Sequence, residues 1–430
     1  MPARSVDPFE REIEVLFRRE SGRLVARLCG VFGSSRLQLA EDVVQETMVR
    51  ALRAWRFQGF PENPSAWMLR AARNLAIDRL RRDRWLRDRE PELEGWGLGD
   101  SADGHGATPA APRFAHELSD DQLALVFLCC HPRVPRAGRV ALTLRAAGGF
   151  TAAEIARALL TTPQAVGQSL ARAKAIFRRL RAPLSIPAAD ELRAREDLVL
   201  DALYVMFSQG YDAQRGWELI RRDVCEEAMR LAESVAAHAV TGDPTAHALA
   251  ALFSFHAARF PARVGDGGEL VLLRDQDRAR YDRATMERGV RHLAAAGRGD
   301  RLSGYHLEAD IASCHTLARS YDETDWGHIV ACYDGLLRLN PSPTIAVNRA
   351  VALARVEGPV AALAALEPLR RKATLRGYLP LRVALAECYR ELGRSADARE
   401  ALKEALALEA NAPTRRHLER RLAATPSLAE

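Results

Sequence analysis

A chain of 430 residues with 48% apolar and 27% charged side chains has the composition of a soluble globular protein, and its length calls for two or three domains. No run approaches 18 apolar residues, the N-terminus lacks the apolar segment of a secretion signal, and the seven cysteines include no CxxC pair; this argues against membrane spans and a disulfide framework, and fits reduced thiols in the cytoplasm. The net charge of +6 is uneven: residues 1–182 carry 29 Lys and Arg against 21 Asp and Glu, whereas 183–430 carry 33 against 35, so a polyanionic partner belongs to the first part.

Residues 9–89 read as closely spaced helices. Over Ala40–Trp55, AEDVVQETMVRALRAW, helical spacing gathers Val44, Met48, Ala51, Leu52 and Trp55 on one face. Asp42, Gln45, Glu46, Arg50 and Arg53 fall on the other. The pattern alone also describes a plain surface helix with a Glu46–Arg50 pair at i,i+4.

The next segment, Pro64–Arg89, is dense in arginine. Arg70, Asn74, Asp78 and Arg81/Arg82 recur along one stripe, with Arg79 beside it; Leu69, Ala72, Ala76 and Leu80 form another. One stripe can dock while the other meets nucleic acid: arginine supplies the salt-dependent phosphate attraction, asparagine can read a base edge, and Trp67 can support an unstacked base. Residues 90–116 follow as a glycine-rich, acidic linker.

Between 117 and 182 the pattern is that of a helix-turn-helix. Thr151 and Glu154 are spaced for a capping box, Thr162 is placed as N-cap before Pro163, and Val166, Leu170, Ala173, Phe177 and Leu180 form the inner stripe of the second helix. Gln164, Gln168 and Arg172 project from the other side, flanked by Lys174 and Arg178, a face suited to the major groove. Cys129, Cys130 and His131 lack a second Cys/His cluster and read as packed thiols rather than a metal site.

AEDVVQETMVRALRAW followed by AWMLRAARNLAIDRLRR resembles region 2 of the sigma-70 family, in the short extracytoplasmic-function type, and the helix-turn-helix resembles region 4. The resemblance implies binding to the β and β′ subunits of core RNA polymerase and to promoter DNA. Carried over by position, Asp42, Gln45, Glu46 and Arg50 would face polymerase, and Trp67, Arg70, Asn74, Asp78, Arg79, Arg81 and Arg82 the −10 element. Thr162, Gln164, Gln168, Arg172, Lys174 and Arg178 would face the −35 element. The rival reading is a helix-turn-helix regulator, with a ligand- or protein-sensing domain, that does not join polymerase.

Residues 190–430 are helical again. Leu381–Leu408 resembles a tetratricopeptide repeat with small Ala384, Ala398 and Ala405 and a Gly393 turn, and Asn348–Leu369 resembles an upstream copy. The whole chain resembles the subgroup of short sigma factors with a long TPR-like extension, which implies modulation of sigma activity within the same chain and an intramolecular contact between extension and sigma modules. The fold expected is all-α: two small sigma domains and a large TPR-like C-terminal domain.

Tyr204, Tyr211, Asp275, Asp277, Arg278 and Asp282 are the extension's candidate regulatory contacts. In GELVLLRDQDRARYD (268–282) complementary pairs, Asp277 with Arg280 and Arg278 with Asp282, point to an ion-paired helix rather than to catalysis, because adjacent guanidiniums oppose the raised pKa of an acid catalyst. The spacing of His306, Asp310 and Cys314 along one helical face reads as a polar edge. No enzyme activity, cofactor or metal is expected.

Overall fold

The computed structural model describes residues 8–93, 121–159, 161–180, 189–211, 219–408 and 410–426. It is all-α: these residues form nineteen α-helices and no strand, with one isolated antiparallel bridge between Val264 and Leu270. They divide into two compact units, residues 1–206 with 238–241, and residues 207–237 with 242–430.

The first unit opens with α1 (Pro8–Phe32), α2 (Leu37–Gln58) and α3 (Pro64–Leu93), which pack on one another. The buried stripe of α2 is Ala40, Val43, Val44, Thr47, Ala51 and Trp55. Leu52, expected inside, is 40% exposed. It sits one residue beyond Ala51, about 100° further round the helix, while Thr47 is admitted to the interior because its hydroxyl donates to the carbonyl of Val43 at 2.8 Å. On α3 the inner stripe is Met68, Ala72, Leu75 and Ala76, with Leu69 turned outward. Trp55 anchors the packing: its ring lies 5.3 Å from Trp67, 5.4 Å from Phe60 and 6.2 Å from Phe17, centroid to centroid. The first four residues assigned to the linker, 90–93, extend α3; 94–116 lie outside the described residues.

The same unit continues with α4 (Asp121–Cys129), α5 (Arg136–Ala146), α6 (Ala152–Ala158) and α7 (Pro163–Leu180), and takes the larger part of α8 (Ala189–Tyr211). The capping box forms as spaced: Thr151 accepts from the amide of Glu154 and Glu154 accepts from that of Thr151. Thr162 caps α7 by accepting from the amide of Ala165 at 3.2 Å. Val166, Leu170, Ala173 and Phe177 are buried as the periodicity requires, while the Leu180 side chain lies outside the described set. Phe127, Leu142, Phe150 and Ile155 complete this core. Cys129 and Cys130 are buried in it as free thiols, Cys130 pushed up to about 12 by burial.

The second unit is built on α10 (Pro244–Ala258), which is apolar on every side and packs against α9 (Arg222–Ala237), α12 (Arg283–Ala296) and α13 (Gly304–Leu317); the short α11 (Phe260–Arg263) follows α10. Gly289 permits the close approach of α12 to α10, because a Cβ there would stand 2.9 Å from the Phe255 ring. Then come α14 (Trp326–Leu339), α15 (Pro343–Val356), α16 (Pro359–Arg370), α17 (Leu379–Glu391), α18 (Ser395–Leu406) and α19 (Ala412–Ala424). The pairs α15/α16 and α17/α18 are the two repeat copies. Each turns at a glycine in the left-handed region, Gly358 (φ 87°) and Gly393 (φ 71°). Ala384, Ala398 and Ala405 are buried between helices, with Leu366, Leu385, Leu402 and Leu418 filling the stack.

Candidate nucleic-acid and protein interfaces

The outer face of α2 carries the residues assigned to a protein partner. Gln45 and Arg50 are exposed, and Asp42 accepts from the side-chain amide of Gln38 at 2.8 Å. Glu46 accepts from Arg79 at 2.6 Å and from Arg50 at 2.7 Å, and these two bonds, Arg79 first, hold its carboxyl below the usual carboxylate range. Arg79, expected on the DNA-facing set, thus bridges α3 to α2. Val49 and Leu52, 47% and 40% exposed, lie on the stripe of Gln45 at i+4 and i+7. Sequence periodicity assigned Leu52 to the core and did not single out Val49; the signal for both is their offset from the Ala51–Trp55 line.

On α3, Arg70, Asn74, Asp78, Arg81 and Arg82 are all exposed, and the arginines make no ion pair among the described residues. The face thus presents unpaired guanidiniums with an amide, Asn74, and one carboxylate, Asp78, among them. Trp67 is half-buried, edge-on to Trp55.

Gln164, Gln168, Arg172 and Arg178 are exposed on α7, beyond the Thr162 cap. Lys174 does not stand with them. Its side chain is 15% exposed and its ammonium donates to Glu41 and, at 2.8 Å, to Gln38, so that α7 is tied to α2. Arg27 adds a second tie, donating to Asp121 at 2.7 Å. On α8, the buried Arg195 donates to the carbonyl of Phe127 at 3.3 Å and to Glu191 at 2.5 Å, an anchor that sequence reading missed because Arg195 looks like one more surface cation.

In the second unit the stretch 268–282 departs from the expected ion-paired helix. It forms an extended segment and two 3-10 turns, Leu273–Asp275 and Arg278–Arg280, and neither expected pair closes. Asp277 instead accepts from the amide of Ala279, and Asp282 caps α12 by accepting from the amide of Thr285, each at 2.9 Å. Aspartates followed by turn residues compete with helix by bonding the backbone locally. Arg278 caps the end of α13, donating to the carbonyls of His315 at 2.6 Å and Ala318 at 2.9 Å. Asp275 is exposed. Gln276, not predicted, is the buried centre: its side-chain oxygen accepts from Tyr281 at 3.1 Å and Arg259 at 3.3 Å.

Tyr204 is half-buried in the part of α8 that belongs to the first unit. Tyr211, in the second, lies under the Arg263 guanidinium at 3.8 Å and beside His256 at 4.7 Å. Burial, with Arg259 and Arg263 adding to it, holds His256 well below its ordinary value, so it is neutral. Burial and then Arg259 and Arg278 bring His315 down to about 3. The donor atoms of Asp310, His328 and Cys332 lie within 4.8 Å of one another, so Asp310 meets α14 side chains. The Cys332 thiol is pushed up to about 11 by burial and Asp310.

Residues 16–86 match the family Sigma-70 region 2, residues 124–176 match Sigma-70, region 4, and residues 195–297 match a family of unknown function (DUF6596). An uncharacterized protein of Rhizobium meliloti (strain 1021) is 36% identical over 376 residues, covering 87% of each chain. No solved structure gives a match. No helix among the described residues is long and apolar enough to cross a membrane. With both sigma regions folded in one unit and a large helical extension behind them, the chain belongs to the sigma-70 family, as an extracytoplasmic-function-type sigma factor with a C-terminal extension.

Proposed function

We propose that the chain, acting in the cytoplasm, joins core RNA polymerase through the outer face of α2, places the exposed arginine-asparagine face of α3 on the −10 element, and sets α7 in the major groove of the −35 element. The observation that carries this reading is the α3 face: Arg70, Asn74, Asp78, Arg81 and Arg82 stand exposed, and the arginines lack carboxylate partners among the described residues. Such a face neutralises phosphates and contacts bases held outside the stack, which offsets the cost of opening the duplex. Val49 and Leu52, ringed by Gln45, Glu46 and Arg50, supply the apolar centre and polar rim that a protein-protein contact needs. The chain makes and breaks no covalent bond in this role.

The extension modulates initiation. Support comes from α8, whose Arg195 donates to Phe127 of region 4 and whose Asp201 pairs with Arg136 at 3.4 Å. These contacts, all within the first unit, fix α8 to region 4, and the same helix leads the chain on toward the second unit.

The test is run-off transcription from genomic fragments with the full chain and purified core enzyme. Promoter-specific transcripts that vanish with Asn74→Ala combined with Arg81→Ala support the reading. Tight duplex binding without initiation at any promoter would instead indicate a helix-turn-helix regulator that stays apart from polymerase.

A further inference from the structure

The 3-10 turn at Arg278, the first two turns of α12 and the C-terminal end of α13 surround a cavity of about 590 Å³ within the second unit, a size suited to a small organic molecule. Four arginines line it, Arg278, Arg283, Arg291 and Arg319, against one carboxylate, Glu287. Arg283, Arg291 and Arg319 are exposed and make no ion pair among the described residues; Glu287, four positions from both Arg283 and Arg291, bridges neither. The cavity therefore holds a surplus of positive charge that the protein leaves uncompensated.

A second observation concerns Arg278. Its Nη1 is fixed by the carbonyls of His315 and Ala318, which holds the guanidinium rigidly in the lining. Its Nη2 is buried and has no hydrogen-bond partner. A buried donor on a permanent cation without an acceptor is costly, and a small shift of the guanidinium toward an oxyanion in the cavity would satisfy it. The remaining surface is apolar: Val290 and Leu317, 43% and 46% exposed, face the same space. Water covers these side chains poorly, whereas the apolar body of a ligand would bury them.

We propose that this cavity binds a small amphipathic anion, a carboxylate or phosphate on an apolar body, with its oxyanion on Arg278 and the rim arginines and its body over Val290 and Leu317. The arginine fork accepts either headgroup, and the charge excess disfavours neutral and cationic analogues. The sigma assignment is not needed for this site, and its test requires no polymerase.

The test titrates the full chain with 1-anilinonaphthalene-8-sulfonate, an aromatic anion that fluoresces on burial. Single-site saturable binding is expected, displaced by decanoate or decyl phosphate and not by decanol. The stronger of the two competitors identifies the headgroup. Arg283→Gln with Arg291→Gln and Arg319→Gln should weaken binding at least tenfold while helix content by circular dichroism stays unchanged, since all three side chains are exposed. Absence of binding, equal competition by decanol, or undiminished binding to the triple variant would overturn the proposal.

Discussion

Lys174 of α7 donates to the buried carboxylate of Glu41 on α2, and this pair holds α7 against region 2. Glu41 is 7% exposed in its side chain and its other carboxylate oxygen has no hydrogen-bond partner, so Lys174 is its main compensation. Removing the cation would leave a buried charge alone. Lys174→Ala should therefore destabilise the first unit by about 2–4 kcal/mol, read as a lowered calorimetric transition. Exchanging the charges, Lys174→Glu with Glu41→Lys, should recover a substantial part. Equal stability of Lys174→Ala and the native chain would show that the pair carries no weight.

Polymerase binding should depend on Glu46 more than stability does. Its pairs with Arg50 and Arg79 are half-exposed and are worth about 0.2–1 kcal/mol each. Glu46→Ala is expected to leave the thermal transition nearly unmoved and to weaken binding to core enzyme by roughly tenfold or more. Val49→Asp, at an exposed position, should do the same. Fluorescence anisotropy of labelled chain titrated with core enzyme measures both.

On α7, the proposed base reading and phosphate contact are expected to separate by variant. Gln168→Ala should cost about 1–3 kcal/mol at the preferred −35 sequence and relax discrimination at one base pair. Arg178→Ala should weaken binding evenly across sequences and reduce the salt slope by about 1. Competition binding on a panel of −35 variants at several salt concentrations distinguishes the two patterns.

In the extension, Glu387 gives a pH signature. Burial alone would raise its carboxyl, but the Arg390 hydrogen bond together with Arg421 and Arg274 outweighs it and brings the group down from 4.5 to about 2. A depressed carboxyl contributes stability that is fully present above its unfolded value and lost as pH falls through the folded one. Glu387→Gln should thus destabilise the second unit by about 2 kcal/mol at pH 7, allowing for screening. The deficit should shrink between pH 4.5 and 2 and vanish below. A deficit independent of pH across that window would assign the effect to packing instead.

Much of the fold was legible because helix formation is local. The capping box at Thr151 and Glu154, the Thr162–Pro163 start of α7, its buried stripe through Phe177 and the Gly393 turn all rest on contacts within a few residues, so spacing suffices to read them. The exposed faces of α3 and α7 follow from the same periodicity. Leu52 and Leu69 were misplaced because a stripe read from sequence has an uncertain angular centre, and only the neighbouring helices decide which edge of it is covered.

The stretch 268–282 marks where local reading stops. Its charges predicted a helix with internal ion pairs, since i,i+3 and i,i+4 neighbours are the partners that sequence can see. Its actual partners are distant: Arg278 serves the carbonyls at the end of α13, Gln276 gathers Arg259 and Tyr281, and Asp282 starts α12. Sequence by itself determined an all-helical chain, its two DNA-type modules and the repeat hairpins, because those depend on periodicity and capping. Only tertiary structure decided that Lys174 is tied to Glu41, that Glu46 and Arg79 join α2 to α3, and that four arginines surround one cavity. A long flexible cation can reach many acceptors, and which one it finds is set by the packing of helices far apart in the chain.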